Sequence, residues 1–337
     1  MVSLVTGAAG FIGSTIVREL LGAGQRVRGI VHPDDSASNG LHRLGPPERL
    51  DIVAADITDR DAVDSLSADI HRVFHCAAMV HTWAPLEEYR RVNVEGTRNV
   101  AEAAFLRGIE RFVHISTSDV FGLPEDGERF TEASPFRMWE ESYPDSKIEA
   151  ETWLWRFHRE RGLPLSVIYP GWVYGPGDRA FFPSLARAIR DRSMSFWRRD
   201  CWLPWTHIDN LAAACLLVAR HPDAIGQGYL AYDGDDGPTL QQVCTQIAEA
   251  IGCAPPRRRI PYGLAYAAAA LSQQLTLGEP LLRTADVKAF GYRWRFSNKK
   301  LRALGWQPTV TTEQGMAGAI RALVREYSVE NHTRART

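Results

Sequence analysis

The feature that most constrains the fold is a glycine turn set directly behind the first β-type run. Val2–Thr6 is short and strand-like, Gly7-Ala8-Ala9-Gly10-Phe11-Ile12-Gly13 follows it, and residues 14–21 read as a helix. Glycines there let the backbone turn tightly, and the helix start offers free N–H groups and a positive dipole end to an anion. A strand, a glycine turn and a helix in that order fit the pyrophosphate of a dinucleotide. The spacing is G-x-x-G-x-x-G, so position in the strand–helix unit carries the reading more than the pattern itself.

Strand and helix signals keep alternating. Arg26–Val31, Arg72–His75, 111–116 and 165–169 read as strands, with helices at 94–107 and 146–161. This order predicts an α/β fold, a doubly wound parallel sheet covered by helices on both faces. Beyond Pro170, prolines, tryptophans and arginines become denser. A helix at 210–219, a strand at 228–232 returning to the sheet, and helices at 240–251 and 262–271 are expected there, with a frayed polar tail at 330–337. Residues 1–174, rejoined by 205–235, are expected to form the dinucleotide-binding domain, and 175–204 with 236–330 a smaller, interleaved substrate domain.

A formal net charge of −1 gives no reason to expect a partner recruited by charge, nucleic acid included. Five cysteines without a C-x-x-C pair argue against a disulfide framework or a zinc site, so reduced thiols in a cytoplasmic protein, and no metal, are expected. No leader is expected ahead of the first strand, and no run is long enough to span a bilayer.

Tyr143-Pro144-Asp145-Ser146-Lys147 places a phenol and an ammonium four residues apart, on one face of a helix. A neighbouring ammonium stabilises a phenolate, which makes Tyr143 a candidate general acid or base. Ser116, Thr117 and Ser118 are consecutive hydroxyls at the end of the fourth strand, and one of them is a candidate partner for a substrate oxygen. An acidic residue about 20 residues past the glycines would bind an adenosine ribose, but the second strand ends Gly29-Ile30-Val31-His32-Pro33, without a carboxylate. His32, with Arg28 or Arg43, is a candidate for a 2′-phosphate, which favours NADP(H) over NAD(H). Asp34 and Asp35 stand close enough to reach a ribose instead.

These motifs, in this order, resemble those of the extended short-chain dehydrogenase/reductase family over nearly the whole chain. Thr6–Gly13 resembles its cofactor loop, His75-Cys76-Ala77-Ala78 its Asn-Ala-Ala element with His and Cys substituted, and Asn93-Val94-Glu95-Gly96-Thr97 its Asn-Val-x-Gly-Thr helix start. Ser116 to Gly122 resembles its Ser-Ser-x-x-Val-Tyr-Gly strand end, and Tyr169 to Gly177 its Arg-Pro-x-x-Val-Tyr-Gly-Pro-Gly segment. The resemblance implies a Rossmann fold and a catalytic set of Thr117, Tyr143 and Lys147. Cofactor contacts are implied at Gly7, Gly10, Phe11, Ile12, Gly13, His32, Asp56, Ile57, Ala77, Ala78, Tyr143, Lys147, Pro170 and Val173. It also implies hydride transfer, and a homodimer joined through the helices near 94–107 and 146–161.

Tyr-Pro-x-Ser-Lys, Trp83-Ala84-Pro85 and Thr206-His207-Ile208-Asp209-Asn210 narrow the resemblance to the 3β-hydroxysteroid dehydrogenase and dihydroflavonol reductase branch. That branch implies a ketone–alcohol oxidoreductase acting on a bulky hydrophobic carbonyl or alcohol. Met79, Trp83, Ser118, Trp172 and Trp202 are the candidate substrate contacts. Arg198 and Arg199 are either anion partners or surface charges. The Asn that sugar-nucleotide enzymes of the family carry after Tyr-Gly-Pro is not evident in Asp178–Pro183. A nucleotide-sugar 4-epimerase or dehydratase is the alternative, and a non-catalytic NAD(P)-binding sensor a more distant one. His207 and Asp209 read as helix-capping rather than chemical residues.

Overall fold

The computed structural model describes the chain except residues 36–37, 67, 81–82, 126, 198–200, 235–236, 277–279, 281 and 335–337. Arg198 and Arg199 therefore lie outside the described residues.

Seven parallel strands form one sheet: β1 (Val2–Thr6), β2 (Arg26–Val31), β3 (Leu50–Ala54), β4 (Arg72–His75), β5 (Arg111–Ile115), β6 (Leu165–Pro170) and β9 (Gln227–Ala231). Their order is β3-β2-β1-β4-β5-β6-β9. A second, two-stranded parallel sheet pairs β7 (Trp172–Tyr174) with β8 (Trp205–His207). The strand order reverses between β1 and β4, and it is outside the carboxyl ends of the strands at such a switch point that open α/β sheets bind ligands.

Side chains on the two faces explain the layering. Leu4, Ile30, Val73, Phe112 and Val167 pack under the helices Thr97–Leu106 and Ser142–Arg161. Val5, Phe74, Val113, Ile115 and Ile168 point the other way, against the helices Phe11–Gly22 and Ile208–Arg220. Both faces of the central strands are covered, so they read as near-continuous apolar runs.

Several sequence expectations shift. β3 was not anticipated, because an edge strand half open to solvent carries only a weak apolar pattern (Leu-Asp-Ile-Val-Ala, of which only Leu50 is buried). Asn93–Thr97 does not start a helix. The chain is already helical from Leu86, winds through a π-helical segment at Arg90–Gly96, and continues as Thr97–Leu106. The tail expected to fray is helical to Arg334, continuing the helix that starts at Thr312, since nothing in 330–334 breaks a helix. The return of a strand near residue 228 holds: β9 pairs in register with β6, Val167 opposite Gly228.

Candidate active site

The glycine turn has the close approaches that only glycine permits. Gly7 has φ +63°, and a Cβ on it would stand 2.9 Å from the Cα of Ala77 at the end of β4. A Cβ on Gly13 would stand 2.1 Å from the Gly7 carbonyl oxygen. The helix beginning at Phe11 has no side-chain cap and no acidic residue in its first turn, so its N–H groups and dipole face outward unneutralised. Those features fit a dinucleotide pyrophosphate on grounds of this structure alone.

At the ends of β2 and β3 stand His32 and Asp56. The His32 ring is exposed, and its Nδ1 accepts the Asp34 N–H at 3.2 Å, which leaves the proton on Nε2. Nε2 lies 3.8 Å from the Asp56 carboxylate, whose other oxygen accepts the Thr58 N–H. Arg28 does not join this corner. It is bound to Asp51 at 2.7 Å and to the carbonyls of Leu66 and Ala68. Ile57 is buried under Gly96, and its carbonyl is held by Asn99.

After β4, Ala77 donates its N–H to Thr6, and Met79 is clamped by the Asn93 side chain through both its N–H (2.7 Å) and its carbonyl (3.1 Å). The Asn93 amide also reaches Ser146 Oγ at 2.9 Å, on the helix that carries Tyr143 and Lys147. The π-helical segment thus sets the loop of Ala77, Ala78 and Met79 relative to that helix, which gives the Asn-Val-x-Gly-Thr motif a positioning purpose. His75 lies between Thr6 and Thr97 at 2.8 Å each. Thr97 donates to the Asn93 carbonyl at 2.6 Å, so His75 Nε2 must be the donor to Thr97 and Nδ1 the acceptor from Thr6. Burial lowers the His75 pKa to about 3, and the ring is neutral.

Tyr143 and Lys147 occupy the first two turns of the helix Ser142–Arg161. Asp145 steadies its start by accepting the N–H groups of Trp139 (2.7 Å) and Glu141 (3.1 Å), and Gly162 ends it in the left-handed region. Thr117, at the end of β5, hydrogen-bonds Tyr143. Burial raises the phenol's pKa, the Asp119 carboxylate adds to the rise, and Thr117 opposes it. The Lys147 ammonium donates to the Ile115 carbonyl at 2.9 Å and lies 3.4 Å from His114 Nε2. Burial lowers its pKa to about 8, against the pull of Glu151. Burial therefore favours the phenol form of Tyr143, opposite in direction to the lowering that a neighbouring lysine alone would give.

Three residues here escaped the sequence reading. Asp119, two residues after Thr117, is pushed by burial to about 6, with a hydrogen bond from Thr117 opposing the rise. Glu151, one turn beyond Lys147, is fully buried and accepts from Ser116 (2.5 Å), Trp155 (2.8 Å) and Tyr169. His114 is fully buried beside Lys147, and its Nδ1 has no hydrogen-bond partner among the described residues. Only Glu151 had a readable signal, the i+4 step from Lys147.

The candidate substrate residues separate. Met79 is fixed by Asn93, and Ser118 is buried at the end of β5. Trp172 follows Gly171, which a Cβ would drive into the Pro204 carbonyl at 1.9 Å, and packs against Phe290 (6.2 Å) and Trp294 (5.8 Å). Trp294 stacks on Trp139, whose indole N–H donates to the Asp119 carbonyl. This aromatic wall connects Pro170 and Val173 to the Thr117–Tyr143 region. Trp202 lines a cavity of about 260 Å³ with Arg129, Tyr232, Phe296 and Trp294 of that same cluster, and the Trp202 carbonyl accepts the Trp294 N–H at 3.0 Å; no catalytic candidate lines that cavity. Trp83 is solvent-exposed. His207 caps its helix by accepting the Asp209 N–H, and Asp209 pairs with Arg18.

Comparison with known proteins yields the following. The model of the NAD dependent epimerase/dehydratase family matches residues 3–231. The chain is 29% identical to a 3-beta-hydroxysteroid dehydrogenase of Mycolicibacterium neoaurum, covering 93% of this chain and 89% of that one. It is also 29% identical to a 4-hydroxy-2-methyl-3-oxo-4-farnesyl-3,4-dihydroquinoline-1-oxide ketoreductase of Stigmatella aurantiaca, covering 94% and 95%. Its fold matches the crystal structure of DesIV, a dTDP-glucose 4,6-dehydratase of Streptomyces venezuelae with NAD bound, with TM-score 0.76, 24% identity and 97% of each chain covered.

Proposed function

The chain belongs to the NAD dependent epimerase/dehydratase family, and from that premise we propose that it reduces a ketone on a bulky apolar substrate to a secondary alcohol, or runs the reverse. The observation that carries this reading is the Thr117–Tyr143 pair, with a cluster of Trp172, Phe290, Trp294 and Trp139 reaching that region through the Trp139 indole N–H on the Asp119 carbonyl. The similarity to a steroid dehydrogenase and to a ketoreductase with a farnesylated substrate supports it. Residues 1–174 and 205–235 are assigned to cofactor binding, and 175–204 with 236–330 to substrate.

A bound nicotinamide supplies or takes the hydride. Gly7, Gly10, Phe11, Ile12 and Gly13 hold the pyrophosphate by backbone N–H groups, and Ile57 with Asp56 flanks the adenine. Ala77, Ala78, Pro170 and Val173 wall the nicotinamide side. Thr117 and Tyr143 donate hydrogen bonds to the ketone oxygen. Tyr143 passes its phenolic proton to that oxygen as the carbon is reduced, and a phenol kept protonated by burial is suited to that direction. Lys147 orients the nicotinamide ribose and supplies positive charge beside the phenolate that forms. The cofactor assigned is NADP(H), on Val31 in the acidic slot and the exposed Nε2–H of His32. A homodimer in the cytoplasm is part of the same reading.

Titration with NADPH and NADH, followed by tryptophan quenching, and turnover of a panel of β-keto acids and keto-steroids test it. Tight NADPH binding with oxidation that disappears in Tyr143→Phe supports the reading. Tight NADH binding without net redox turnover sinks it.

A second reading is a sugar-nucleotide 4-epimerase or dehydratase, and Asp119 favours the dehydratase of the two. A carboxyl with a pKa near 6, beside the catalytic phenol, can take a proton from the carbon next to a ketone. A rise in melting temperature with a UDP- or dTDP-sugar distinguishes it.

A further inference from the structure

The helix that carries Tyr143 begins at a joint between two distant segments. Glu141 immediately precedes the helix Ser142–Arg161, yet its side chain does not cap it. That carboxylate turns instead to the short helix Thr284–Ala289. One of its oxygens, Oε1, accepts from the Thr284 hydroxyl at 2.7 Å and from the Lys288 ammonium at 2.9 Å. Lys288 also donates to the Trp139 carbonyl at 2.7 Å. The Lys288 and Glu141 side chains are only 11% and 13% exposed, so this is not one of the surface pairs that water screens to little effect.

A second clamp holds the same turn. The Asp145 carboxylate accepts the N–H groups of Trp139, Glu140 and Glu141. Between the two clamps Glu140 has φ +58°, a backbone conformation that a residue with a side chain seldom adopts and that surrounding contacts must maintain. Tyr143 lies two residues beyond this turn. The short helix is in turn tied into the segment assigned above to substrate. The Thr284 N–H donates to the Gln273 side chain at 2.9 Å, the Val287 carbonyl accepts the Trp197 indole N–H at 2.9 Å, and Phe290 packs on Trp172 at 6.2 Å.

We propose that Glu141 and Lys288 are positioning residues for Tyr143. Their contact carries the placement of the substrate segment, and of a substrate seated against Trp172 and Phe290, to the turn that sets the phenol. Desolvation offsets most of the attraction within a buried pair, so the contribution of this one is geometry more than stability. The inference rests on the ketone reading for what Tyr143 does, and on the contacts alone for what holds it.

Two measurements on the full chain test it, one with turnover and one without. In Lys288→Met, kcat for ketone reduction should fall about tenfold to a hundredfold, the cost of misplacing a reacting group by up to about an ångström. Cofactor quenching should stay unchanged, and KM should move less than kcat. Glu141→Gln should act in the same way, and the double variant should be no slower than the slower single one, because both act through one contact. Hydrogen–deuterium exchange of the substrate-free protein should show the amides of Trp139, Glu140 and Glu141 exchanging about tenfold faster in Lys288→Met, with the central strands unchanged. If Lys288→Met does not fold, Thr284→Val removes one donor from Glu141, keeps the ion pair, and should move both readouts in the same direction by less. A lower Tm with kcat per folded molecule and exchange at residues 139–141 both unchanged overturns the proposal, because the pair is then only structural. Wild-type protein without redox turnover sinks the ketone reading instead, and the exchange at residues 139–141 then decides the positioning by itself.

Discussion

At the scale of single residues, the site works by arranging buried charge. Lys147 is an ammonium with almost no water, and Glu151, held by Ser116, Trp155 and Tyr169, is the carboxylate whose charge supports it. Replacing Glu151 with Gln should move the high-pH limb of the kcat/KM profile for reduction downward from about 8, with stability reduced by roughly 3 kcal/mol for a buried charge left uncompensated. A pH profile separates this from a merely structural loss, which would lower the curve without moving it. The linkage sign is opposite to that of a salt-bridged lysine. The folded pKa of about 8 lies below the ordinary 10.5, so the unfolded chain holds more protons between them and Lys147 adds stability as pH rises through that window. Tyr143→Phe should lower turnover by about 10²–10⁴-fold with cofactor quenching retained. His32→Ala should weaken NADPH about tenfold and leave NADH unchanged if the ring holds a 2′-phosphate.

At the scale of elements, the segment that matters most is the π-helical turn Arg90–Gly96. Its wider winding presents Asn93 to two structures at once, the Met79 backbone and Ser146 on the catalytic helix. Asn93→Ala removes three side-chain hydrogen bonds and leaves the Met79 N–H without its acceptor. Chemical denaturation should report a loss of about 2 kcal/mol, and a rise in KM should accompany it because the loop lines the proposed substrate side. The motif was legible as residues, but its geometry was not. Sequence periodicity registers that a stretch is helical, whereas the wider winding is visible only in the fold, where the segment meets the helix Ser142–Arg161. β3 was missed for the related reason that an edge strand is stabilised by the neighbour it pairs with, here β2, more than by its own pattern.

At the scale of the whole molecule, one buried polar knot ties the last third of the chain to the sheet. The Asn210 amide donates to Asp233 and to the Val310 carbonyl at 2.8 Å each, and its oxygen accepts the N–H groups of Thr309 and Val310. Asp233 also accepts from the His207 N–H (2.9 Å) and the Tyr174 hydroxyl (3.1 Å), which joins β7, β8 and the end of β9. Asn210→Ala should cost about 3 kcal/mol, read as a fall in Tm, because several buried partners lose their bonds together. Burial raises the Asp233 pKa from 3.8 to about 6, so the folded state holds the extra proton in that interval and this group's contribution falls as pH rises through it.

The sequence by itself determined the local chemistry: a glycine turn between strand and helix, a tyrosine and lysine on one helical face, three hydroxyls at a strand end. Each of these is fixed by spacing along a few residues, which is where backbone geometry and composition act alone. Tertiary structure decided what surrounds them. It set Asp119 and Glu151 beside the phenol and ammonium, withdrew Arg28 to Asp51, placed Trp202 in a cavity with Trp294 and brought Trp294 to Trp172 across more than a hundred residues. Burial, which shifts each titrating group, depends on every element that packs against it, and no local window of sequence contains that sum.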